Sequence, residues 1–342
     1  MKYKLPLLVG LASLAALVGV QAQTAVTDPV GYITTTIANQ VGGLRGETFV
    51  GPTLVNKVEF SGAVATASGT TLNFTGTPFA AGQFGGANGP HYLEITNGTT
   101  SEGVWSDITA TTASSITLLD NLSSFVAAGT TTVKIRKHHT IGSYFGATNT
   151  VGLQAGASLA AADQLVILDP STQLPKIVFY STDEFAPGWV DSSFNPVSDF
   201  VLAPGQGILV KRVGGTSAGT LPFVQTGYVK TGATVLPIEP GENVVSIPNA
   251  VGVTLAASGL GSVITQGASL STADQVVVNT GNNTFDTLFF STDEFAAGWV
   301  DASFNPKGTT LLKEGTAVLI KNTVTPTAFN WTVPGVTIST TP

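Results

Sequence analysis

Short runs of alternating apolar and polar residues recur along the chain and predict β-strands. In "HYLEI" (residues 91–95) and "TVKIRK" (residues 132–137), apolar and polar side chains largely alternate, which places them on opposite faces of a strand. We expect one face of these strands to be wet and the other buried. Beyond the first 22 residues no segment sustains an apolar period of 3.6, and the helical candidates are single turns around "SLAAADQ" and "SLSTADQ". The pattern therefore predicts an all-β protein.

Two segments of the chain have nearly the same sequence. "STDEFAPGWVDSSFNP" (residues 181–196) and "STDEFAAGWVDASFNP" (residues 291–306) differ at two of sixteen positions. "QAGASLAAADQLVIL" precedes the first copy as "TQGASLSTADQVVVN" precedes the second, and "LAPGQGILVKR" follows the first as "LKEGTAVLIKN" follows the second. Because these matches keep their order and spacing, we predict two duplicated β-barrel or β-sandwich repeats.

The first repeat contains a segment that the second lacks. Runs such as "TTLNFTG", "GVWSDITA" and "SSITLLD" are short, rich in β-branched residues and separated by Gly, Ser, Asn and Thr. They predict a third, small β domain inserted in the first repeat. The predicted organisation is a signal peptide (1–22), a first repeat (23–54 and 140–225), an inserted β domain (55–139) and a second repeat (226–342).

The first 22 residues have the pattern of a secretory signal peptide. Lys2 and Lys4 precede an apolar run, and Val20-Gln21-Ala22 offers small side chains at the cleavage positions. The run is shorter than the roughly 20 residues that span a bilayer, and no other segment is long and apolar enough, so we expect no transmembrane anchor. The prediction is a secreted protein that is extracellular, on the cell surface or in the periplasm.

The amino-acid composition restricts the kinds of molecule that this protein is expected to bind. Removal of residues 1–22 leaves 12 Lys and Arg against 21 Asp and Glu, a formal charge of −9. Such a chain is a poor partner for nucleic acid, whose phosphates are bound by clustered Lys and Arg. Only 10% of the residues are charged and there is no Cys, so stability has to come from burial and backbone pairing. Few charges also leave sheet edges poorly protected against association.

Several short motifs are spread over nearly the whole chain beyond the signal peptide. They are "TDPVGYI", "YLEITNGTTSEGVWSDI", "KHHTIGSYFG", an aromatic strand followed by Gly-Trp, and "PGQGILVKR". In these motifs the chain resembles a paralogous family of secreted, uncharacterised proteins of Verrucomicrobia-type bacteria. The resemblance implies a bacterial envelope or extracellular setting, and it implies no established activity and no catalytic residue.

The repeated phrase contains the candidate site. Paired carboxylates can hydrolyse glycosidic bonds when one of them is held protonated. Asp183 and Glu184, however, are adjacent and would face opposite sides of a strand, and an enzyme rarely needs two near-identical sites in one chain. We interpret the Trp and Phe side chains of the phrase as an apolar plug, with Asp and Ser capping its turns. The ligand-binding alternative uses Asp183, Trp189, Asp191, Asp293, Trp299 and Asp301.

Other polar residues suggest no assembled site. His138 and His139 are neighbours at the end of a strand, so their rings should point to opposite faces and cannot chelate one ion together. Lys134, Arg136 and Lys137 form a basic cluster, which we interpret as the solvated side of a strand; the alternative is docking to the acidic surface of another copy. We predict no catalytic, cofactor-binding or metal-binding residue and no cofactor, and calcium binding by the carboxylates stays open.

Three functions are compatible with these features. The first is a non-enzymatic structural or assembly protein of the cell envelope or extracellular space: a scaffold, matrix, filament subunit or adhesin. Its partners would be further copies of itself or other envelope components. The second is a carbohydrate-binding protein that stacks glycans on the tryptophans of the repeated phrase. A glycoside hydrolase is the third and least favoured, since no catalytic set is assembled in the sequence.

Overall fold

Nearly all the regular structure of this protein is β-strand. The structure is a computed structural model, and it describes residues 28–40, 44–213, 219–281 and 283–336. Within these ranges there is one α-helix of five residues, together with three short 3-10 turns at Gly86–Asn88, Ser123–Phe125 and Leu260–Ser262. The predicted all-β class is thus confirmed, whereas the predicted signal peptide lies outside the described residues.

The strands are numbered in chain order. The chain starts with β1 (Val30–Ile37) and β2 (Gly46–Val50). Then come β3 (Val58–Ala63), β4 (Thr66–Ser68), β5 (Thr71–Asn73), β6 (His91–Ile95), β7 (Trp105–Thr111), β8 (Ser115–Leu118) and β9 (Thr132–Lys137). These are followed by β10 (His139–Thr140), helix α1 (Ile141–Phe145), β11 (Gln164–Asp169), β12 (Leu174–Ser181), β13 (Gly188–Asp191), β14 (Val201–Leu202), β15 (Ile208–Arg212) and β16 (Leu221–Tyr228). The last are β17 (Thr234–Ile238), β18 (Gly241–Ser246), β19 (Val253–Thr254), β20 (Gln275–Gly281), β21 (Thr284–Ser291), β22 (Gly298–Asp301), β23 (Leu311–Leu312), β24 (Ala317–Asn322) and β25 (Phe329–Val333).

Two five-stranded antiparallel sheets form the main body. The first has the order β13-β12-β11-β15-β2, and the second has β22-β21-β20-β24-β18. Each is accompanied by a two-stranded ribbon, β1-β16 or β17-β25, and by a short pair, β10-β14 or β19-β23. We call β1, β2 and β10–β16 the first half and β17–β25 the second half. Because each half has one five-stranded sheet, one ribbon and one short pair, every strand of one half has a counterpart in the other. The domain boundary predicted at 225/226 falls inside β16, which pairs with β1 along its whole length.

The two halves contact each other through their glycine-containing loops. Gly207 N donates to Val244 O at 2.9 Å and Ser246 N donates to Gly205 O at 2.8 Å. A Cβ atom at Gly205 would meet the Leu236 side chain on β17 of the second half. Because glycine has no side chain, the backbone of one half can reach the strands of the other.

The inserted domain is one curved sheet with the strand order β3-β9-β6-β7-β8-β5-β4. Its first and last strands, β3 and β4, are consecutive in the chain and are joined by Val64 and Ala65, so the sheet curls round on itself. A separate apolar core fills it, with members such as Leu72, Phe84 and Ile116.

Both faces of the inserted domain are buried at β6, contrary to the sequence prediction of one wet face. All five residues of β6 are buried, among them Glu94 at 3% exposure. The outer face packs against the start of β17: Val235 N donates to Gly103 O at 3.0 Å, and Trp105 Nε1 donates to Val235 O at 3.1 Å. Among the residues that the structure describes, no helix has the length and apolar character to cross a membrane.

Candidate functional site

The tryptophans of the repeated phrase belong to the protein core. We call residues 181–196 and 291–306 the twin loops. Trp189 is 3% exposed and Trp299 is 5% exposed, and each lies in the apolar core of its own half. Trp189 Nε1 donates to Gly146 O at 2.8 Å, and its ring packs edge-on against Tyr180 at 5.2 Å. Neither indole offers an open face to a sugar, so the structure does not favour the ligand-binding alternative at Trp189 and Trp299.

The carboxylates of the twin loops hold the loops' own backbone. Asp183 Oδ1 accepts from Phe185 N at 2.9 Å, and Asp191 Oδ1 accepts from Ser193 N at 2.9 Å and Asn195 N at 3.0 Å. In the second loop Asp293 and Asp301 make the equivalent bonds with the same distances, to Phe295 N and to Ser303 N and Asn305 N. These four Asp side chains thus cap turns, as the sequence predicted.

The ionisation of two of these carboxylates also differs from that of a catalytic acid. Burial opposes ionisation of Asp191, but hydrogen bonds from Asn195 outweigh it and lower the pKa below the usual 3.8. In the second loop, hydrogen bonds from Asn305 lower the pKa of Asp301. A glycosidase acid needs a raised pKa so that it still carries a proton to donate. The hydrogen bonds of the twin loops instead keep the Asp191 and Asp301 carboxylates ionised.

The most exposed large apolar side chains of the twin loops are phenylalanines. Phe185 is 88% exposed and Phe295 is 90% exposed, although the sequence analysis placed both inside a plug. That part of the interpretation is wrong because Asp183 and Asp293 fix the loop so that it turns at the phenylalanine and directs the ring away from the sheet. The spacing of residues in the sequence did not indicate that the Phe185 and Phe295 rings point outward.

A second pair of phenylalanines covers the sheets only in part. Phe194 packs edge-on against Phe179 at 5.5 Å, and Phe304 against Phe289 at 5.7 Å. Both have left-handed backbones, with φ of 64° and 61°, which is costly for an aromatic residue. The strain is maintained because Phe194 N and Phe304 N donate to the carbonyls of Asp191 and Asp301 at 2.9 Å. The twin loops are therefore built as rigid turns.

The histidines separate as predicted. His138 Nε2 lies 2.8 Å from Asp107 Oδ1 of β7, whereas His139 Nε2 lies 3.0 Å from Leu54 O. The described residues contain no group of three or more His, Asp or Glu side chains that could hold a metal ion.

Of the basic cluster, Lys137 is exposed, whereas Lys134 and Arg136 do not form a solvated face, so that interpretation is corrected for these two residues. Arg136 is 1% exposed; it binds Asp28 and Glu94, with Nε 3.2 Å from Glu94 Oε1. Lys134 Nζ lies 2.9 Å from Asp28 Oδ1, and Lys230 Nζ lies 2.7 Å from Glu94 Oε2. These five charges form a buried ion network between the inserted domain, the segment before β1 and the segment before β17.

The carboxylates of the ion network are held ionised. Burial alone would raise the pKa of Glu94, but the charges of Lys230 and Arg136 outweigh it and lower the pKa below 4.5. The pKa of Asp28 is also lowered, since hydrogen bonds from Arg136 and Lys134 exceed the cost of burial. With every charge paired, the network fastens segments together and has no acid or base left for catalysis.

Several open cavities lie apart from the twin loops, and sequence reasoning found none of them. One of them has a volume of about 310 Å³ and lies between α1 and β16, lined among others by His139, Tyr144 and Phe223. No sequence motif marked it, because its walls come from segments about 80 residues apart.

Comparison with known proteins adds no relative. No protein-family model, curated protein or solved structure matches the chain.

Proposed function

We propose that this protein is a secreted, non-enzymatic structural or assembly protein of the bacterial cell envelope or extracellular space. It would act as a scaffold, matrix, filament subunit or adhesin, by associating with further copies of itself. The observation that carries the proposal is the pair of exposed rings, Phe185 and Phe295, on rigid loops of nearly identical sequence. The predicted export and the low content of charged residues agree with it.

Exposed aromatic rings on rigid loops favour association. Burial of one Phe side chain stabilises a contact by about 1.5–3 kcal/mol. The loop loses little conformational freedom on binding, since Asp183 already holds Phe185 N and Ser181 Oγ accepts from Asp183 N at 3.1 Å. Low entropy cost and a large apolar contact are the properties of an interface anchor.

Two copies of the loop give each molecule two contact points. A contact between like loops of two molecules is self-complementary, so it uses one loop from each. The other loop then stays available for a further molecule, and growth continues in a line. This arrangement favours a filament or matrix subunit over a closed dimer.

The carboxylates of the twin loops support a non-enzymatic role. Asp183, Asp191 and their counterparts are engaged by backbone amides of their own turns. A hydrolase would need one of a carboxylate pair to stay protonated, and the lowered pKa of Asp191 and Asp301 acts against that.

The proposal is tested by sedimentation velocity on the chain without residues 1–22. Wild type should form species that grow with concentration. Phe185→Ser or Phe295→Ser leaves one working loop and should stop association at a dimer, and the double variant should be monomeric. Because both rings are exposed, the substitutions should change stability by less than about 0.5 kcal/mol.

Leu119→Ser is the control, since Leu119 is a large apolar residue that is 63% exposed on the inserted domain. It should associate as wild type does. A wild type that stays monomeric at the highest attainable concentration, or a double variant that assembles unchanged, would contradict the proposal.

A further inference from the structure

A second cavity, of about 530 Å³, lies at one end of the inserted domain, where β3 begins and β9 ends. Its other wall belongs to the first half and contains Ser143 of α1 and Asp199. The neighbours of Asp199, Ser198 and Phe200, accept hydrogen bonds from the first residues of α1. Ligand sites are frequent at such contacts between domains and at the ends of β-barrels. Among the described strands, only the first half is interrupted by an insert, so the second half lacks one of these walls.

Solvent reaches the polar side chains that line this cavity. Its exposed members are Lys57, Glu59, Asn88, Lys137, Ser143 and Asp199. The ammonium group of Lys137 lies beside Gly89, since a Cβ atom built on that glycine would be 3.3 Å from Lys137 Nζ. A ligand in the cavity therefore has charged and hydrogen-bonding groups within its direct reach.

Two lysines of the cavity are neighbours on adjacent strands. Val58 of β3 pairs with Arg136 of β9. One residue further along, Lys57 stands opposite Lys137, and Asn56 Nδ2 donates to Lys137 O at 3.0 Å. Residues opposite each other in antiparallel strands point to the same face, and like charges in such a pair destabilise the fold. The lysine pair therefore makes no favourable contribution to folding by itself.

The protein does not neutralise either of these lysines. Most other Lys and Arg side chains of the described chain form ion pairs, and acids outnumber bases in the sequence. Within the part of the chain that the structure describes, no carboxylate lies within 4.0 Å of Lys57 Nζ or Lys137 Nζ. The nearby Glu59 carboxylate instead lies 3.3 Å from His91 Nε2. Two adjacent unpaired cations at a cavity attract a negatively charged ligand.

We propose that this cavity binds a small anionic molecule that also bears hydroxyl groups, of the size of an acidic monosaccharide. Its carboxylate or phosphate group lies between Lys57 and Lys137, whose ammonium groups donate to the oxygens. On the rest of the cavity wall, the Asp199 carboxylate and the Asn88 amide oxygen accept from the ligand's hydroxyl groups. The site uses other elements than the twin loops, so it is independent of the proposed self-association.

The test is calorimetry at low ionic strength on the chain without residues 1–22. The acidic sugars are galacturonate and glucose 6-phosphate. Galactose has hydroxyl groups without the charge, whereas acetate and inorganic phosphate have the charged group alone. At least one acidic sugar should bind in the millimolar range, and physiological salt should weaken it because salt screens exposed charges. The tighter of the two acidic sugars identifies the anionic group.

The other three probes should each bind at least about tenfold more weakly than that acidic sugar. Failure of both acidic sugars to bind would overturn the proposal. Equal affinity for the acidic sugar and for its charged group alone would also overturn it, since the hydroxyl groups would then make no contact.

Lys57→Gln and Lys137→Gln locate the binding. Each should weaken binding of the acidic sugar about tenfold, because one of two charge-assisted contacts is lost. Without ligand, neither variant should be less stable than wild type, since each relieves the repulsion between the lysines. Lys313→Gln is the matched control: Lys313 is exposed and, among the described residues, has no ion pair, but it lies between β23 and β24. It should bind as wild type does.

Unchanged affinity in both Lys57→Gln and Lys137→Gln would place the anion elsewhere and overturn the inference. An equal loss in Lys313→Gln would do the same, because it would indicate attraction to the overall charge of the chain. The double variant Phe185→Ser with Phe295→Ser should bind the acidic sugar as wild type does, which separates this result from the test of self-association.

Discussion

Arg136 lies between the carboxylates of Asp28 and Glu94, at the contact of the inserted domain with the rest of the protein. A guanidinium at 1% exposure would be very costly if it were unpaired, since water no longer solvates it. Lys230 approaches Glu94 from the segment before β17, so one carboxylate joins two parts of the chain. Removing one partner leaves an uncompensated buried charge, and this is the main energetic consequence of the network.

The first prediction concerns the pH dependence of Glu94. Its folded-state pKa is below the usual 4.5, so its contribution to stability is complete above that value and is lost as pH falls through the folded-state pKa. Glu94→Gln should cost about 3 kcal/mol at pH 7 and make the loss of stability below about pH 4.5 less steep. Urea unfolding between pH 7 and pH 3 measures both effects.

Glu184→Gln is the control for this prediction, because Glu184 is exposed on the first twin loop. It should leave both the stability at pH 7 and the acid slope close to wild type. Equal acid slopes for wild type and Glu94→Gln would show that the network does not contribute in the expected way.

At the scale of elements, the strands are joined across the two halves at glycines with left-handed backbones. Gly315 has φ of 75° and precedes β24; its carbonyl accepts from Gly51 N at the end of β2. A Cβ atom there would meet Thr35 Oγ1 and would lie 3.0 Å from the Ile33 side chain, both on β1. The close approach of β24 to β1 thus depends on the absence of a side chain.

We therefore predict that Gly315→Ala destabilises the protein by about 2–4 kcal/mol, the sum of backbone strain and overpacking. Gly129→Ala is the control, because Gly129 has the same φ of 75° and open space around its Cα. It should cost only about 1–2 kcal/mol, the strain alone. Denaturation midpoints of the two variants give the difference, and equal costs would mean that the contact between halves is not tight.

At the scale of the whole molecule, the three largest apolar cores are held together by polar contacts. Each half and the inserted domain has its own core, while the ion network and the backbone bonds of Gly103, Gly205 and Gly315 lie between them. The surface has few charges and the formal charge is −9 without residues 1–22, so copies of the chain repel one another weakly at long range.

The third prediction is that salt strengthens self-association. The twin loops would associate through apolar rings, and the net negative charge opposes the approach of two copies. Raising ionic strength from 0.01 M to 0.15 M shortens the screening length from about 30 Å to about 8 Å and reduces this repulsion. Sedimentation at the two salt concentrations should show larger species at the higher one. Association that weakens with salt would instead indicate an interface held by ion pairs.

Several features could be predicted because they depend on residues close together in the chain. Alternation in "HYLEI" and "TVKIRK" predicted strands, and both segments are strands. Asp183 and Asp191 were predicted to cap turns, and they bind amides two and four residues further on. The duplication stays a prediction, which the corresponding strand orders of the two halves support. The exact domain limits also stay predictions, and the limit at 225/226 divides β16.

Other features depend on which distant segments meet, and no local pattern contains that information. Arg136 is buried because Asp28, 108 residues earlier, reaches it, although its alternation with Val133 and Ile135 predicted a wet face. Phe185 is exposed because its turn points away from the sheet, and His139 lines a cavity because β16 passes beside α1. The sequence by itself determined the strands and turns, through local periodicity and local hydrogen bonds. Only the tertiary structure decided which faces, rings and polar atoms are covered, since burial is a property of contacts between segments far apart in the chain.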